Sequence, residues 1–173
     1  MERLVGRKAP DFKMNSVLGD GSEFKEVKLS DYNGKWLVMF FYPLDFTFVC
    51  PTEITGFSKR ADEFRKMNAE LLSVSIDSEY SHQAWIKNGL GEINFPMASD
   101  ITKQVAKEYG TLIEEQGVSL RGLFIIDPEG YVKYSVVHDL NVGRSVDETL
   151  RVLKALQSGG LCPIDWQEGD KHL

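Results

Sequence analysis

The chain has 173 residues, 42% of them hydrophobic and 27% charged, which suits one soluble globular domain with a sizeable core. A net charge of −6 excludes a surface built to hold nucleic-acid phosphates, so no nucleic-acid partner is expected. The opening residues carry Glu2, Arg3, Arg7, Lys8 and Asp11 rather than an apolar leader, and the longest apolar run, residues 36–42, falls far short of the ~20 residues that span a bilayer, so the expectation is a cytoplasmic protein with no membrane partner.

In chain order, residues 27–29 read as a short strand, and the near-continuous apolar run 36–42 as a central strand covered on both faces. A helix follows from Cys50, with Ile54, Phe57, Ala61, Phe64 and Met67 on one face and Lys59, Arg60, Asp62 and Arg65 on the other. Residues 71–76 read as a second buried strand, 81–87 as a short helix ending near Gly89, 95–98 as a weak strand, and 102–109 as a helix closed by Gly110. Residues 122–126 and 131–137 are strands joined by Asp127-Pro128-Glu129-Gly130, turn chemistry that fits a hairpin. Ser145 and Glu148 form a capping-box pattern before the stripe Val146, Leu150, Leu153 and Leu156, and Gly159-Gly160 stops that helix. Parallel units early and a hairpin late predict an α/β fold: a mixed central sheet with helices on both faces, in thioredoxin-like order. Residues 1–160 form the domain, with an N-terminal extension, and residues 161–173 a C-terminal tail in which Cys162, beyond the two glycines, is expected to be mobile.

Thiols in a reducing compartment suggest catalysis, metal binding or inert packing rather than a structural cross-link. Cys50 stands where a strand has ended at Pro43 and a helix begins, a place that offers free backbone N–H groups and a positive dipole end, both of which favour a thiolate. Cys50 is followed by Pro51-Thr52-Glu53, so a close dithiol is excluded, while the distant Cys162 stays available. Ionisation alone accomplishes little. Taking a free cysteine from a pKa of ~8.5 to ~6 raises its thiolate about thirtyfold at pH 7. The accompanying loss of intrinsic nucleophilicity is about tenfold. A fast thiol enzyme must therefore also position its electrophile with donors. Thr47, Arg121 and Arg144 are candidates, though spacing places none of them beside Cys50. Each candidate also has a plainer reading. Cys50 and Cys162 could be packing residues, Thr47 a turn hydroxyl, Glu53 a first-turn dipole partner, and Arg121 and Arg144 ordinary paired charges. His82, His138 and His172 lack metal-ligand spacing with the cysteines, so no metal is expected.

Pro43-x-x-x-Thr47-x-x-Cys50 resembles the active-site motif of the peroxiredoxins, and residues 41–53 as a whole resemble the typical two-cysteine class that includes the peroxide-reducing component of alkyl hydroperoxide reductase. Residues 121–127, 142–148 and Cys162-Pro163-x-x-Trp166 are similar to further motifs of that class, in the same order along nearly the whole chain. The resemblance implies that Cys50 is the peroxidatic cysteine, attacking the O–O bond of hydrogen peroxide or an alkyl hydroperoxide to become a sulfenic acid. It implies that Thr47 and Arg121 hydrogen-bond the peroxide, that Pro43 covers the thiol, and that Glu53 and Arg144 orient Arg121. Cys162 would be the resolving cysteine of a partner subunit in a homodimer, which the family can assemble into a decamer. Thioredoxin or a flavoprotein disulfide reductase would restore the thiols, with no cofactor. The same family admits a holdase chaperone role, and a thiol–disulfide oxidoreductase is a further alternative that the missing Cys-x-x-Cys opposes. Asn88-Gly89-Leu90-Gly91 departs from the Gly-Gly-Leu-Gly of over-oxidation-sensitive members, Leu161 and Ile164 replace their Val and Ala, and no Tyr-Phe helix follows Trp166 within these residues. A tail that unfolds readily, resolving Cys50 before sulfinic acid forms, is the resulting expectation.

Overall fold

The computed structural model describes residues 2–173. Its strands are β1 (Lys13–Val17), β2 (Phe24–Lys28), β3 (Trp36–Phe41), β4 (Ala69–Ser75), β5 (Met97–Ser99), β6 (Leu112–Ile113), β7 (Val118–Ser119), β8 (Arg121–Ile126) and β9 (Val132–His138). Its α-helices are α1 (Cys50–Lys59), α2 (Ala61–Lys66), α3 (Glu79–Trp85), α4 (Gln104–Glu108) and α5 (Val146–Ser158). Seven strands form one sheet in the order β2-β1-β5-β4-β3-β8-β9, and β6 and β7 form a separate small hairpin. The β3–β4 and β4–β5 pairs are parallel and the other pairs of the main sheet antiparallel, so the sheet is mixed.

The alternation of β3 explains why so apolar a strand sits at the centre. Val38 and Phe40 enter one core with Ile54, Phe57, Phe64, Trp85, Leu150 and Leu153 from α1, α2, α3 and α5. Leu37, Met39 and Phe41 enter the opposite core with Val105 and Ala106 of α4, Tyr109, and Phe12 and Met14 from the N-terminal segment. Helices cover both faces, as the element order predicts.

Several local details differ from the sequence reading. The single helix expected after Cys50 is broken at Arg60 (φ −111°, ψ 12°), whose N–H turns back to Phe57 O, so α1 and α2 are separate helices. No Gly or Pro marks the break, and Ile54, Phe57, Ala61 and Phe64 still share one core, which is why the apolar period runs straight across it. Strand β1 is not legible in the sequence because Ser16 takes an inward position, its hydroxyl donating to Lys25 O at 2.5 Å. The β6–β7 hairpin is likewise unforeseen. The β8–β9 turn is as expected: Asp127 Oδ1 accepts from the N–H groups of Glu129 and Tyr131, and Gly130 supplies φ +87°. The tail packs on α5 rather than standing free. Trp166 is buried, Arg151 donates to its carbonyl oxygen at 3.1 Å, and Lys154 pairs with Glu168 at 2.8 Å.

Candidate active site

The chain leaves β3 at Tyr42, runs through a loop that carries Pro43, Asp45 and Thr47, and enters α1 at Cys50. Cys50 is the first residue of α1, fully buried, with Pro51 where a missing N–H costs nothing. Cys50 thus lies at the positive end of a ten-residue helix, in the segment that follows the C-terminal end of β3.

Four ionisable groups converge there. Arg121, the first residue of β8, directs Nη1 to Cys50 Sγ at 3.4 Å and to Glu53 Oε1 at 2.7 Å, and its Nε to Leu140 O at 2.8 Å. Glu53, one helical turn after Cys50, is gripped by Arg144: Nε reaches Oε2 at 2.6 Å, Nη2 reaches Oε1 at 2.9 Å, and the Arg144 backbone N–H reaches Oε2 at 2.8 Å. Arg144 Nη1 donates to Phe41 O and Gly122 O, both at 2.7 Å, and its guanidinium lies 5.3 Å from the Phe40 ring centroid. One side chain therefore ties β3, β8 and α1 together.

The Arg121, Arg144 and Glu53 side chains are 4%, 2% and 2% exposed, so water screens little of their charge. Burial pushes the Glu53 carboxyl up, but hydrogen bonds and charge from Arg144, joined by the charge of Arg121, outweigh it and hold the group below the usual carboxylate range. Burial lowers the Arg144 guanidinium, opposed by Glu53 and by a negative charge on Cys50. Two guanidinium charges face one carboxylate, which leaves one positive charge in excess beside the Cys50 sulfur. A negative charge developing on a sulfur 3.4 Å from Arg121 would be attracted by about 5 kcal/mol at an effective dielectric of about 20, before the cost of desolvating it.

Of the residues singled out in the sequence, Cys50, Glu53, Arg121 and Arg144 form one hydrogen-bonded cluster. Pro43 is buried where the chain leaves β3. Thr47 is half-buried and donates its hydroxyl hydrogen to Leu44 O at 2.9 Å, not to the sulfur. Cys162 is elsewhere, half-buried at the end of α5, and both cysteines are free thiols.

A set of residues that the sequence did not reveal holds the Thr47 loop. Asp45 accepts from Tyr42 OH at 2.7 Å and Ser81 Oγ at 2.8 Å, and meets His82 Nδ1 at 2.7 Å, while its own N–H donates to Asp77 Oδ2 at 2.8 Å. His82 Nε2 reaches Ala98 O at 3.0 Å. Burial drives the Tyr42 phenol and the Asp77 carboxyl up. The loop pays for its shape at Phe46, a non-glycine residue at φ +57° whose ring lies 5.8 Å from that of Trp85. No local pattern signalled this set, because Asp45 meets Asp77, Ser81 and His82 only across more than 30 residues of chain. Among the described residues no group of His, Cys, Asp or Glu is gathered as a metal ion would require, and no helix is long and apolar enough to cross a membrane.

The profile of the AhpC/TSA family matches residues 5–135. A Clostridium pasteurianum protein, provisionally named a peroxiredoxin in the rubredoxin operon, is 72% identical over 178 residues, with 100% of each chain covered. The 2-Cys peroxiredoxin BAS1 of Spinacia oleracea, a chloroplastic protein by name, is 54% identical over 98% of this chain and 67% of its own. Among solved structures, the reduced 2-Cys peroxiredoxin of Plasmodium vivax superposes with a TM-score of 0.95 at 44% identity, covering 99% of this chain and 93% of that one.

Proposed function

Since this chain belongs to the AhpC/TSA family of peroxiredoxins and is a thiol-dependent peroxidase, we propose that Cys50 is the sulfur that attacks the peroxide and that Arg121, Thr47 and Pro43 form its immediate surroundings. The observation that carries this reading is the Arg121 Nη1 contact with Cys50 Sγ at 3.4 Å, within a buried cluster holding one positive charge in excess.

The Cys50 thiolate attacks the nearer peroxide oxygen, an S–O bond forms, and the O–O bond breaks with its electron pair leaving on the distal oxygen. Negative charge moves from sulfur to that oxygen, and a fixed guanidinium beside the sulfur stabilises both ends of the shift without rearranging. The Arg121 Nη2 group makes no hydrogen bond among the described residues and is available to the peroxide. Thr47 has committed its only hydrogen to Leu44 O, so its remaining lone pairs suit an acceptor of the peroxide O–H. Together these groups orient the O–O axis, and buried Pro43 limits water at the sulfur. The leaving oxygen takes a proton and departs as water from hydrogen peroxide or as an alcohol from an organic hydroperoxide.

The product on Cys50 is a sulfenic acid. It condenses with a thiolate to a disulfide, expelling hydroxide. We assign Cys162 of a second copy as that thiol, in a homodimer capable of further assembly into a decamer. A disulfide tolerates Cα separations only up to about 7 Å, and Cys50 is fully buried whereas Cys162 lines an open cavity, so the first turn of α1 must loosen for the sulfurs to meet. A dithiol protein such as thioredoxin, or a flavoprotein disulfide reductase, then restores both thiols.

Peroxide consumption, a non-reducing gel and sulfenic-acid trapping test the assignment together. Cys50→Ser abolishes consumption. Cys162→Ser completes one turnover and leaves a trappable sulfenic acid, and the peroxide-dependent covalent dimer is absent in both variants. Undiminished consumption by Cys50→Ser refutes the assignment.

A further inference from the structure

Cys162 lies at one end of a short hydrogen-bonded chain that the peroxidase chemistry leaves unassigned. Its Sγ is 3.4 Å from Ser158 Oγ, on the last turn of α5. The same hydroxyl is 3.0 Å from His172 Nε2 and 2.7 Å from Ala155 O. One rotatable O–H therefore faces a thiol, an imidazole nitrogen and a carbonyl at once.

The imidazole is held in place from several sides. It stacks on Trp166 with ring centroids 5.4 Å apart and 17° between planes. Trp166 is itself buried and donates Nε1–H to Asp170 O at 3.2 Å, and Leu173 N–H reaches back to Leu161 O at 2.9 Å. Gly160 makes the seat: a Cβ at that position would lie 2.4 Å from the His172 ring. The tail thus closes on itself around the segment that carries Cys162. Cys162 lines an open cavity of about 550 Å³, and Arg151 and Asp165 are the other ionisable groups in that lining. Arg151 is committed to Glu148 at 2.6 Å and to Trp166 O, and nearby Lys154 to Glu168. Lys171 and Asp170 precede His172 in the chain, and the Asp170 carboxylate accepts from Gln167 N–H at 2.8 Å. None of these charges has a hydrogen bond to the thiol.

We infer that His172, acting through the Ser158 hydroxyl, is the proton acceptor of Cys162. The Cys162 proton passes to Ser158 Oγ as the serine proton swings from Ala155 O to His172 Nε2, which leaves a thiolate and an imidazolium. The reverse polarity then holds the product: imidazolium Nε2–H donates to Ser158 Oγ, and the serine O–H donates to the sulfur. Histidine is the side chain suited to this exchange between pH 5 and 8. The functional consequence rests on the resolving role assigned above. A thiolate at Cys162 bonds to Cys50 Sγ of the sulfenic acid, the S–O bond breaks with its electron pair, and the hydroxide released becomes water with a proton from solvent, to which the imidazolium returns the one it took. His172 is a positioning residue here, since it touches neither cysteine of the new bond.

The test reads Cys162 alone. In a Cys50→Ser chain, the rate of Cys162 alkylation by iodoacetamide is followed by intact mass from pH 5.5 to 9.5. With His172 present the pH profile has two limbs, the lower one following the imidazole. Adding His172→Gln or Ser158→Ala leaves a single limb and slows alkylation at pH 7 by about threefold or more, the thiolate gained less the nucleophilicity lost. Gly160→Ala, which displaces the ring without removing it, gives the same profile. An unchanged profile in His172→Gln overturns the proposal. So does a rise by one constant factor at every pH, which would mean that His172 only packs the tail. In chains with both cysteines, His172→Gln slows disulfide formation after a peroxide pulse about threefold at pH 7 and little at pH 9; an unaltered rate at pH 7 overturns the role in resolution. The alkylation arm needs no disulfide, so its failure is distinct from failure of the resolving assignment, which the covalent-dimer test decides.

Discussion

Glu53→Gln isolates what the central carboxylate does. Glu53 accepts from Arg121 Nη1 at 2.7 Å, from Arg144 Nε at 2.6 Å and Nη2 at 2.9 Å, and from the Arg144 backbone N–H at 2.8 Å. Glutamine keeps the volume but removes the only negative charge between two buried guanidiniums and turns an amide donor toward one of them. Removing one partner of a buried ion pair costs about 3–5 kcal/mol, because the charge left behind is uncompensated. With a urea dependence of about 2–3 kcal/mol per molar, the unfolding midpoint falls by about 1–2.5 M. The two proteins must be compared at one concentration, since association adds to apparent stability. The pH dependence provides a second check. The Glu53 carboxyl is held below its ordinary value, with burial opposing and Arg144 and Arg121 prevailing. A depressed carboxyl stabilises the fold fully above its unfolded value of about 4.3, and that contribution is lost as pH falls through the folded value. The gap between wild type and Glu53→Gln is therefore widest above about pH 5 and closes on acidification. A gap below about 1 kcal/mol at pH 7, or one that widens toward pH 4, would refute the reasoning.

Arg121→Gln removes the fixed positive charge 3.4 Å from the Cys50 sulfur, and the second-order reaction with hydrogen peroxide, followed by stopped-flow tryptophan fluorescence, slows by about 10²–10³-fold; a loss under about tenfold would show that the helix end suffices. Gly122→Ala places a Cβ 2.4 Å from Cγ2 of the fully buried Thr111, which costs about 1–3 kcal/mol and lowers Tm by about 3–9 °C in a thermal scan; an unaltered Tm would mean that Thr111 shifts freely.

The fold was legible where one residue type suited only one environment. The run 36–42 had to be a doubly covered strand, because an apolar side chain on every position leaves neither face for water. The hairpin turn at Asp127–Gly130 and the Ser145 cap were readable because each is a local hydrogen-bond device, and Ser145 Oγ does accept from Glu148 N–H at 3.1 Å. Strand β1 and the break at Arg60 were not, since Ser16 finds its partner across the sheet at Lys25 and the apolar period continues past Arg60 undisturbed.

The same division runs through the site. By itself the sequence established a thiol at a helix start, with Glu53 one turn on, because Cys50 and Glu53 share a helix and helical spacing is local. It also marked Arg121 and Arg144 as candidates through their motifs, without saying where they point. Only the tertiary structure decided that both guanidiniums close on one carboxylate, since that depends on β3 and β8 being neighbours in the sheet although 80 residues of chain separate Phe41 from Arg121. It alone brought Tyr42, Asp45 and His82 together beneath the Thr47 loop and folded His172 back onto the turn beside Cys162. Charges and hydrogen bonds act over a few ångströms whatever the distance along the chain, and a linear pattern records only the contacts that its own periodicity can make.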